Sequence, residues 1–327
     1  MPKEAAHWIL AEQTWQAMPD GLLKTEIQEN KALYYLGSVI FDTPYYALTG
    51  QNRSNLIAAA NRLHGYRVSS PFNPFGPLAK SSETLPEGYR PFLAGAMTHV
   101  AVDSVFHPLI FHFSGNDKDV PSIQASRAAT RHRRLESALD LHLLSRNGNA
   151  SFRNLRLIDL YRNRENEESA FLKLLNLLYF GKILAANSSL KLTFWQHALI
   201  HHIIQQRRVH QFLGLFDILA PRQARRIEPV EALFYATCQE SDPRFFQSTL
   251  TYRHPVTGEE QADSVSSLQE RAIAFALECL ERFDDTRTQA ELKKSLAGMV
   301  SPSLYSGLPP DPDRAMSFFD ILHTLDL

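Results

Sequence analysis

Apolar side chains recur along most of this chain at intervals of three and four residues, a spacing that predicts helices. A first helix runs from Glu4 to Trp15, with Ala5, Trp8, Ile9 and Ala11 recurring at helical spacing, and a second runs from Ile27 to Phe41. Asn55 to Leu63 is a short helix that delivers His64, and Gly65 suits its C-terminus. The most apolar run is Gly95-Ala-Met-Thr-His99-Val-Ala-Val-Asp103-Ser-Val-Phe-His107-Pro108. Pro108 disfavours helical geometry at the residue before it, so this helix is expected to end at His107. Ser122 to Leu144 is a long helix, and further helices are expected over 152–180, 192–216, 229–238 and 264–283. Tyr252 to Glu259 reads as a turn-rich insertion. Strand-type alternation is nearly absent, so the expected class is all-α. Residues 1–220 are expected to form the chemical core, with 221–327 a helical region packed on it or belonging to the same domain.

Three polar positions interrupt the apolar central helix. Residues four apart on a helix differ by about 40° of rotation and about 6 Å of rise, so His99, Asp103 and His107 share one arc. Burying imidazole and carboxylate among Ala96, Met97, Val100, Val102, Val105 and Phe106 is costly unless something pairs with them, and zinc is the expected partner. The three span about 12 Å, too long to grip one ion with Zn–N bonds of about 2.1 Å. Two ions are therefore expected, with Asp103 able to bridge. On the next long helix His132 and Glu136 lie one turn apart, and Asp140 a turn further is expected to orient His132 or to be solvated. Arg131, Arg133 and Arg134 are expected to point elsewhere, and His112 and His142 fall off these faces.

Other candidates are single residues with an ordinary alternative. His7, beside Trp8, is a site residue or a structural histidine; Asp42, before Pro44, is a metal ligand or a turn residue. His197 and His201 have a metal pair's spacing, with His202 and His210 nearby. Gln205, Gln206, Arg207 and Arg208 follow them and no carboxylate accompanies them, so a half-exposed face is expected there.

Composition narrows the function classes. A chain of 327 residues, 44% hydrophobic and 21% charged, has ample core for a globular fold. Lys and Arg number 34 against 35 Asp and Glu, so no global basic field draws in nucleic acid or anionic membrane. Cys238 and Cys279 lack metal or redox spacing and read as core thiols. No basic stretch followed by a long apolar run opens the chain and no segment has the length of a membrane span. The expected location is cytoplasmic, or exported without a conventional leader.

The motifs His7-Trp8, Phe41-Asp42-Thr-Pro-Tyr-Tyr, Arg62-Leu-His64-Gly, His99-x-x-x-Asp103-x-x-x-His107-Pro and His132-x-x-x-Glu136 occur in this order. Together they resemble the bacterial zinc-dependent phospholipase C family, over about residues 5 to 142. The resemblance implies an all-helical fold, shared with single-strand-specific nucleases, with a zinc cluster between helices. It implies that Asp42, His64, His99 and Asp103 hold one ion and that His107, His132 and Glu136 hold a second. In secreted members a third ion uses a processed N-terminal tryptophan; here Trp8 follows His7 inside the chain, leaving His7 and Asp103 for a third ion, or an incomplete position. The implied activity is phosphodiester hydrolysis on phospholipid, with peripheral membrane contact and with Asp42 acting on the attacking water. Tyr45, Tyr46 and the loop Ser69 to Gly76 are expected to contact substrate. Two alternatives stay open: a nuclease or other phosphoesterase, and a non-catalytic helical protein stabilised by zinc.

Overall fold

A computed structural model describes the chain except residues 1–2, 51, 87, 119, 147, 163–167, 184–186, 207–231, 233, 236–243 and 323–327. The fold is predominantly helical. Its site-bearing elements are α1 (Glu4–Ala17), α2 (Leu22–Glu29), α3 (Lys31–Gly37), a 3-10 turn at Thr43–Tyr46, α4 (Arg53–Leu63), α5 (Gly76–Lys80), α6 (Arg90–Ser114) and α7 (Ser122–Leu144). Then follow α8 (Leu157–Arg162), α9 (Glu168–Phe180), α10 (Asn187–Ile204), α11 (Val265–Asp284) and α12 (Gln289–Ala297). The insertion expected near Tyr252 forms an antiparallel hairpin of β1 (Leu250–Arg253) and β2 (Glu260–Asp263), pairing Leu250 with Asp263 and Arg253 with Glu260. β1 alternates between buried and exposed positions but is only four residues long, and β2 is nearly all polar, so the pair leaves little periodic signal in the sequence.

Three other expectations need correction. The stretch 152–180 is not one helix: it begins in a 3-10 turn at Ala150–Asn154 and breaks at residues 155–156 before α8. The segment 27–41 is broken at Asn30 between α2 and α3 and then runs into turns. More importantly, α6 does not end at His107 but continues through Pro108 to Ser114. A proline inside a helix costs about 3 kcal/mol, because it leaves the carbonyl four residues back without its donor. That carbonyl, on Ser104, is covered by Gly307 at a separation into which no Cβ would fit. Burial of Phe106, Leu109, Ile110 and Phe111 on both sides of the proline supplies the packing that carries the helix onward. Most of the expected helix over 229–238, the end of the one over 192–216, His210 and Cys238 lie outside the described residues, and residues 232, 234 and 235, which are described, are not in an α-helix.

The apolar interior has two halves that meet along α1 and α6. Trp8, Phe92, Met97 and Val100 belong to one half; Ile9, Val102, Phe106 and Leu109 belong to the other. His99 and Asp103 therefore sit at the changeover. α3 and α6 cross there at their glycines: a Cβ on Gly95 would collide with the Tyr34 carbonyl, and one on Gly37 with the Phe92 carbonyl. This close crossing brings the Ser38 carbonyl within reach of His99. α11 packs on α1 and α6, and the segment beyond α12 returns to the end of α4, where Leu304 N–H donates to the His64 carbonyl at 2.9 Å.

Candidate metal centre

Seven of the eight expected ligands form two groups. Asp42, His64, His99 and Asp103 present one ligand atom each within 4.8 Å of one another, and His107, His132 and Glu136 do the same; six of the seven are buried, and His132 keeps a small exposed edge. The four-residue group draws on the turn after α3, the last turn of α4 and the middle of α6. The three-residue group joins α6 to α7, with His132 Nε2 2.8 Å from Glu136 Oε1. Asp103 stands between the groups. Its Oδ2 lies 3.2 Å from His99 Nε2 and 3.5 Å from His64 Nε2; its Oδ1 lies 3.9 Å from His107 Nε2 and 3.3 Å from His7 Nε2.

Three of the four imidazoles are aimed by a backbone carbonyl at their other nitrogen. His64 Nδ1 donates to Ala60 O at 2.8 Å, His99 Nδ1 to Ser38 O at 2.9 Å, and His107 Nδ1 to Leu304 O. A carbonyl only accepts, so each of these Nδ1 atoms carries a hydrogen, and once the ring is neutral its Nε2 lone pair points into the site. His99 Nε2, His107 Nε2 and both Asp103 oxygens are buried yet have no hydrogen-bond partner among the described residues. Orphaned acceptors converging at this depth are costly unless a cation occupies the space between them, so the residues present fit zinc.

The two groups differ in protonation. Burial lowers the His64 pKa, but hydrogen bonds and charge from Asp103 and Asp42 outweigh it and raise His64 to about 9. Burial also works against His99, and again the two carboxylates prevail and raise it. His107 goes the other way: burial, only partly opposed by Asp103, pushes it down to about 3, and burial holds His132 well below its usual range. Asp103 is held well below the carboxylate range despite its burial, chiefly by charge from His107 and His99.

A cavity of about 330 Å³ opens onto this centre, lined by His107, His132, Glu136 and Asp42 together with Val39, Leu48, Phe111, Ile200, Tyr45 and Tyr46. The three-residue group faces it whole, whereas the four-residue group contributes only Asp42. The family whose model is described as zinc dependent phospholipase C matches residues 6–189, more than half of the chain. The chain belongs to that family. No curated protein and no solved structure matches it. The zinc-dependent phospholipase C fold thus accounts for the helices that carry the two metal-capable groups, and its match ends inside α10.

His7, the eighth expected ligand, reaches the same centre without joining either group. Its ring stacks on His99 at 4.2 Å between centroids, and neither ring nitrogen has a hydrogen-bond partner among the described residues. Trp8 is core: its indole donates to the Tyr35 carbonyl at 3.1 Å. Asp140 neither orients His132 nor meets solvent. It accepts from the Ala5 and Ala6 amides at 3.2 and 2.9 Å, holding the start of α1, and from the Tyr235 hydroxyl at 2.7 Å.

Several cavity residues were not expected from sequence. His197 and His201 are buried rather than half-exposed. The carboxylate missing from their neighbourhood comes from Glu4, whose Oε1 accepts from His197 Nε2 at 2.9 Å and from the Tyr46 hydroxyl at 3.0 Å. Burial opposes ionisation of Glu4, yet His197 and His201 keep it charged. Arg133, expected to point away, lines the cavity, as do Lys118 and Tyr305. Tyr305 comes from the C-terminal loop; its hydroxyl pairs with that of Tyr45 at 2.9 Å and its ring stacks 6.3 Å from His107. Nothing near residue 305 in the sequence marks it as a site residue. By contrast, the loop Ser69 to Gly76, expected to meet substrate, does not line this cavity.

Proposed function

We propose that this protein is a zinc-dependent phosphodiesterase, acting on phospholipid to release a phosphorylated head group. The observation that carries this reading is that two metal-capable groups flank Asp103 and meet at one cavity with apolar and aromatic walls. Zinc held there would supply charge neutralisation for a phosphoryl group and a lowered pKa for water. The chain's own residues do the rest. Asp42 belongs to the four-residue group and also lines the cavity, so its carboxylate is placed to orient the attacking water and take its proton. Its Oδ1 lies 3.1 Å from His64 Nε2, so the two atoms converge on one metal position and the second carboxylate oxygen is left for the water. Water oxygen bonds to phosphorus, the bond to the glycerol oxygen breaks in line, and that oxygen leaves with a proton. Leu48, Ile200 and Phe111 exclude water and accommodate the apolar side of the substrate.

The test combines metal analysis with hydrolysis of phospholipid vesicles, a soluble phosphodiester and single-stranded DNA. Zinc-loaded protein is expected to cleave phospholipid best and to lose activity on chelation. Asp42→Asn should retain zinc while turnover falls by about 10²–10⁴. Asp103→Asn should lose zinc as well, because it disturbs both groups. If the zinc-loaded protein cleaves none of the three substrates, or both variants match it, the zinc-stabilised binding protein is the correct reading.

A further inference from the structure

A second cavity, of about 510 Å³, adjoins the metal-facing one, and Lys118 and Tyr305 line both. It holds none of the metal-capable residues. Hydroxyls of Ser303, Ser306 and Tyr305 line it together with three cations, Arg67, Lys118 and Arg314, against two carboxylates, Asp311 and Asp313, whereas the metal-facing cavity has the more apolar wall, with Leu48, Ile200 and Phe111. A phosphodiester has two substituents, and a lipid substrate has one polar and one apolar. With phosphorus at the metal centre, the apolar substituent fits the first cavity and the polar one is left to the second.

We infer that this second cavity binds the head group, and that the head group it suits is a phosphorylated polyol. The volume is ample for a ring bearing a second phosphate. Of the charged side chains around it, Arg314 is offset by Asp311 at 3.4 Å, and Lys118 by Asp117 at 3.4 Å; Asp117 lines the metal-facing cavity and not this one. Lys118 Nζ lies 5.8 Å from the ring centres of both Tyr45 and Tyr305, so it stands where the two cavities meet. Arg67 is the second cation on this wall. It occupies the left-handed region at φ 52°, a strained conformation for a non-glycine residue, and its guanidinium lies over the Tyr66 ring at 5.6 Å. The Ser303–Ser306 segment of the same cavity carries Leu304, which holds both His107 and the end of α4, so the head-group site and the metal centre share a scaffold. Guanidinium and ammonium together recognise a second phosphate by charge-assisted hydrogen bonds, with hydroxyls left for the polyol. The same chemistry is offered by a phosphoinositide head group in a membrane and by a soluble sugar bisphosphate.

The inference rests on the phosphodiesterase reading only for the order of the two substituents; binding tests it independently. Calorimetry on the zinc-loaded full chain should show myo-inositol 1,4-bisphosphate binding at least tenfold more tightly than myo-inositol 1-phosphate. Arg67→Gly relieves the backbone strain, so it should fold at least as stably while losing the guanidinium. It and Lys118→Gln should each reduce the preference for the bisphosphate about tenfold, and Asp311→Asn, which removes a carboxylate, should increase it. Hydrolysis of phosphatidylinositol 4-phosphate in phosphatidylcholine vesicles, compared with its deacylated soluble counterpart, identifies the source: membrane if the vesicles are preferred, solution if the soluble diester is. Equal binding of the two inositol phosphates by the wild type, or an unchanged preference in all three variants, overturns the inference. Tight bisphosphate binding without cleavage of either diester would sustain it and sink the phosphodiesterase reading.

Discussion

The two metal-capable groups are built from the same residue types but are placed in different surroundings. The four-residue group has two carboxylates and draws on three separate elements, and it reaches the cavity through Asp42 alone. The three-residue group has one carboxylate, spans only α6 and α7, and faces the cavity whole. The first is thus a charge-rich knot that ties helices together, and the second is a more open site whose imidazoles stay neutral. A metal in the first should contribute more to folding, because binding energy gained where distant elements converge is folding energy. A metal in the second is better placed to meet substrate.

The largest expected effect comes from separating the groups through backbone packing. Gly95→Ala would drive a Cβ into the Tyr34 carbonyl and push α3 off α6, breaking the Ser38–His99 hydrogen bond. Because the clash is with backbone, relief by a rotamer change is not available, and a loss of about 3 kcal/mol is expected. The α6–α7 pairing lies one and more turns away and should persist. Thermal melts should therefore show strong destabilisation while metal analysis still finds the three-residue group loaded. Loss of both ions together would mean that the groups do not fold independently.

The central part of this site was readable because helical spacing is a local property. His99, Asp103 and His107, like His132 and Glu136, are four apart, and the apolar residues around them made their polarity conspicuous. The residues that complete the site act over long sequence separations. Glu4 meets His197 across 193 residues and Leu304 holds His107 across 197, and no local pattern encodes such pairings. Reading His197 as half-exposed followed from the polar residues just after it, whereas burial was decided by the Thr43–Tyr46 turn packing onto α10, with the Tyr46 ring stacked 3.9 Å from His197. Pro108 misled for a related reason: the local rule for proline was correct about the lost hydrogen bond, but tertiary cover from Gly307 and the apolar flanks outweighed it.

A smaller effect, on pH dependence, should distinguish the groups without mutation. In zinc-free protein His64 titrates at about 9 against an ordinary 6.5, so between those values the folded chain binds a proton that the unfolded chain does not. The stability from that proton is complete below about 6.5 and is lost as pH rises through about 9. Zinc must displace the same proton, so affinity at the four-residue group should rise about tenfold per unit as pH increases toward 9. The three-residue group has no such proton to lose near neutrality, since His107 titrates at about 3 and His132 is also held low. Zinc titrations at several pH values should resolve one steep and one shallow dependence. Two equal slopes would erase the electrostatic distinction between the groups.

The smallest expected effect concerns His7, which touches both carboxylates of the four-residue group without belonging to it. Its Nε2 lies 3.3 Å from Asp103 Oδ1 and 3.9 Å from Asp42 Oδ2, on the side of Asp103 that faces the three-residue group. With burial and the nearby His99 lowering its pKa, a neutral imidazole is favoured there and is free to donate a lone pair. That geometry suits a third, weaker position in which His7 and Asp103 are the only protein ligands. Two ligands are fewer than a stable zinc site needs, so occupancy should depend on the zinc concentration. His7→Ala removes a buried ring stacked on His99, and the cavity should cost about 2 kcal/mol. Two equivalents of zinc should nevertheless remain, with turnover reduced by less than about tenfold. If metal analysis instead finds a single equivalent in His7→Ala, His7 is a ligand of the four-residue group itself. The division into one closed and one open group would then have to be redrawn around five residues.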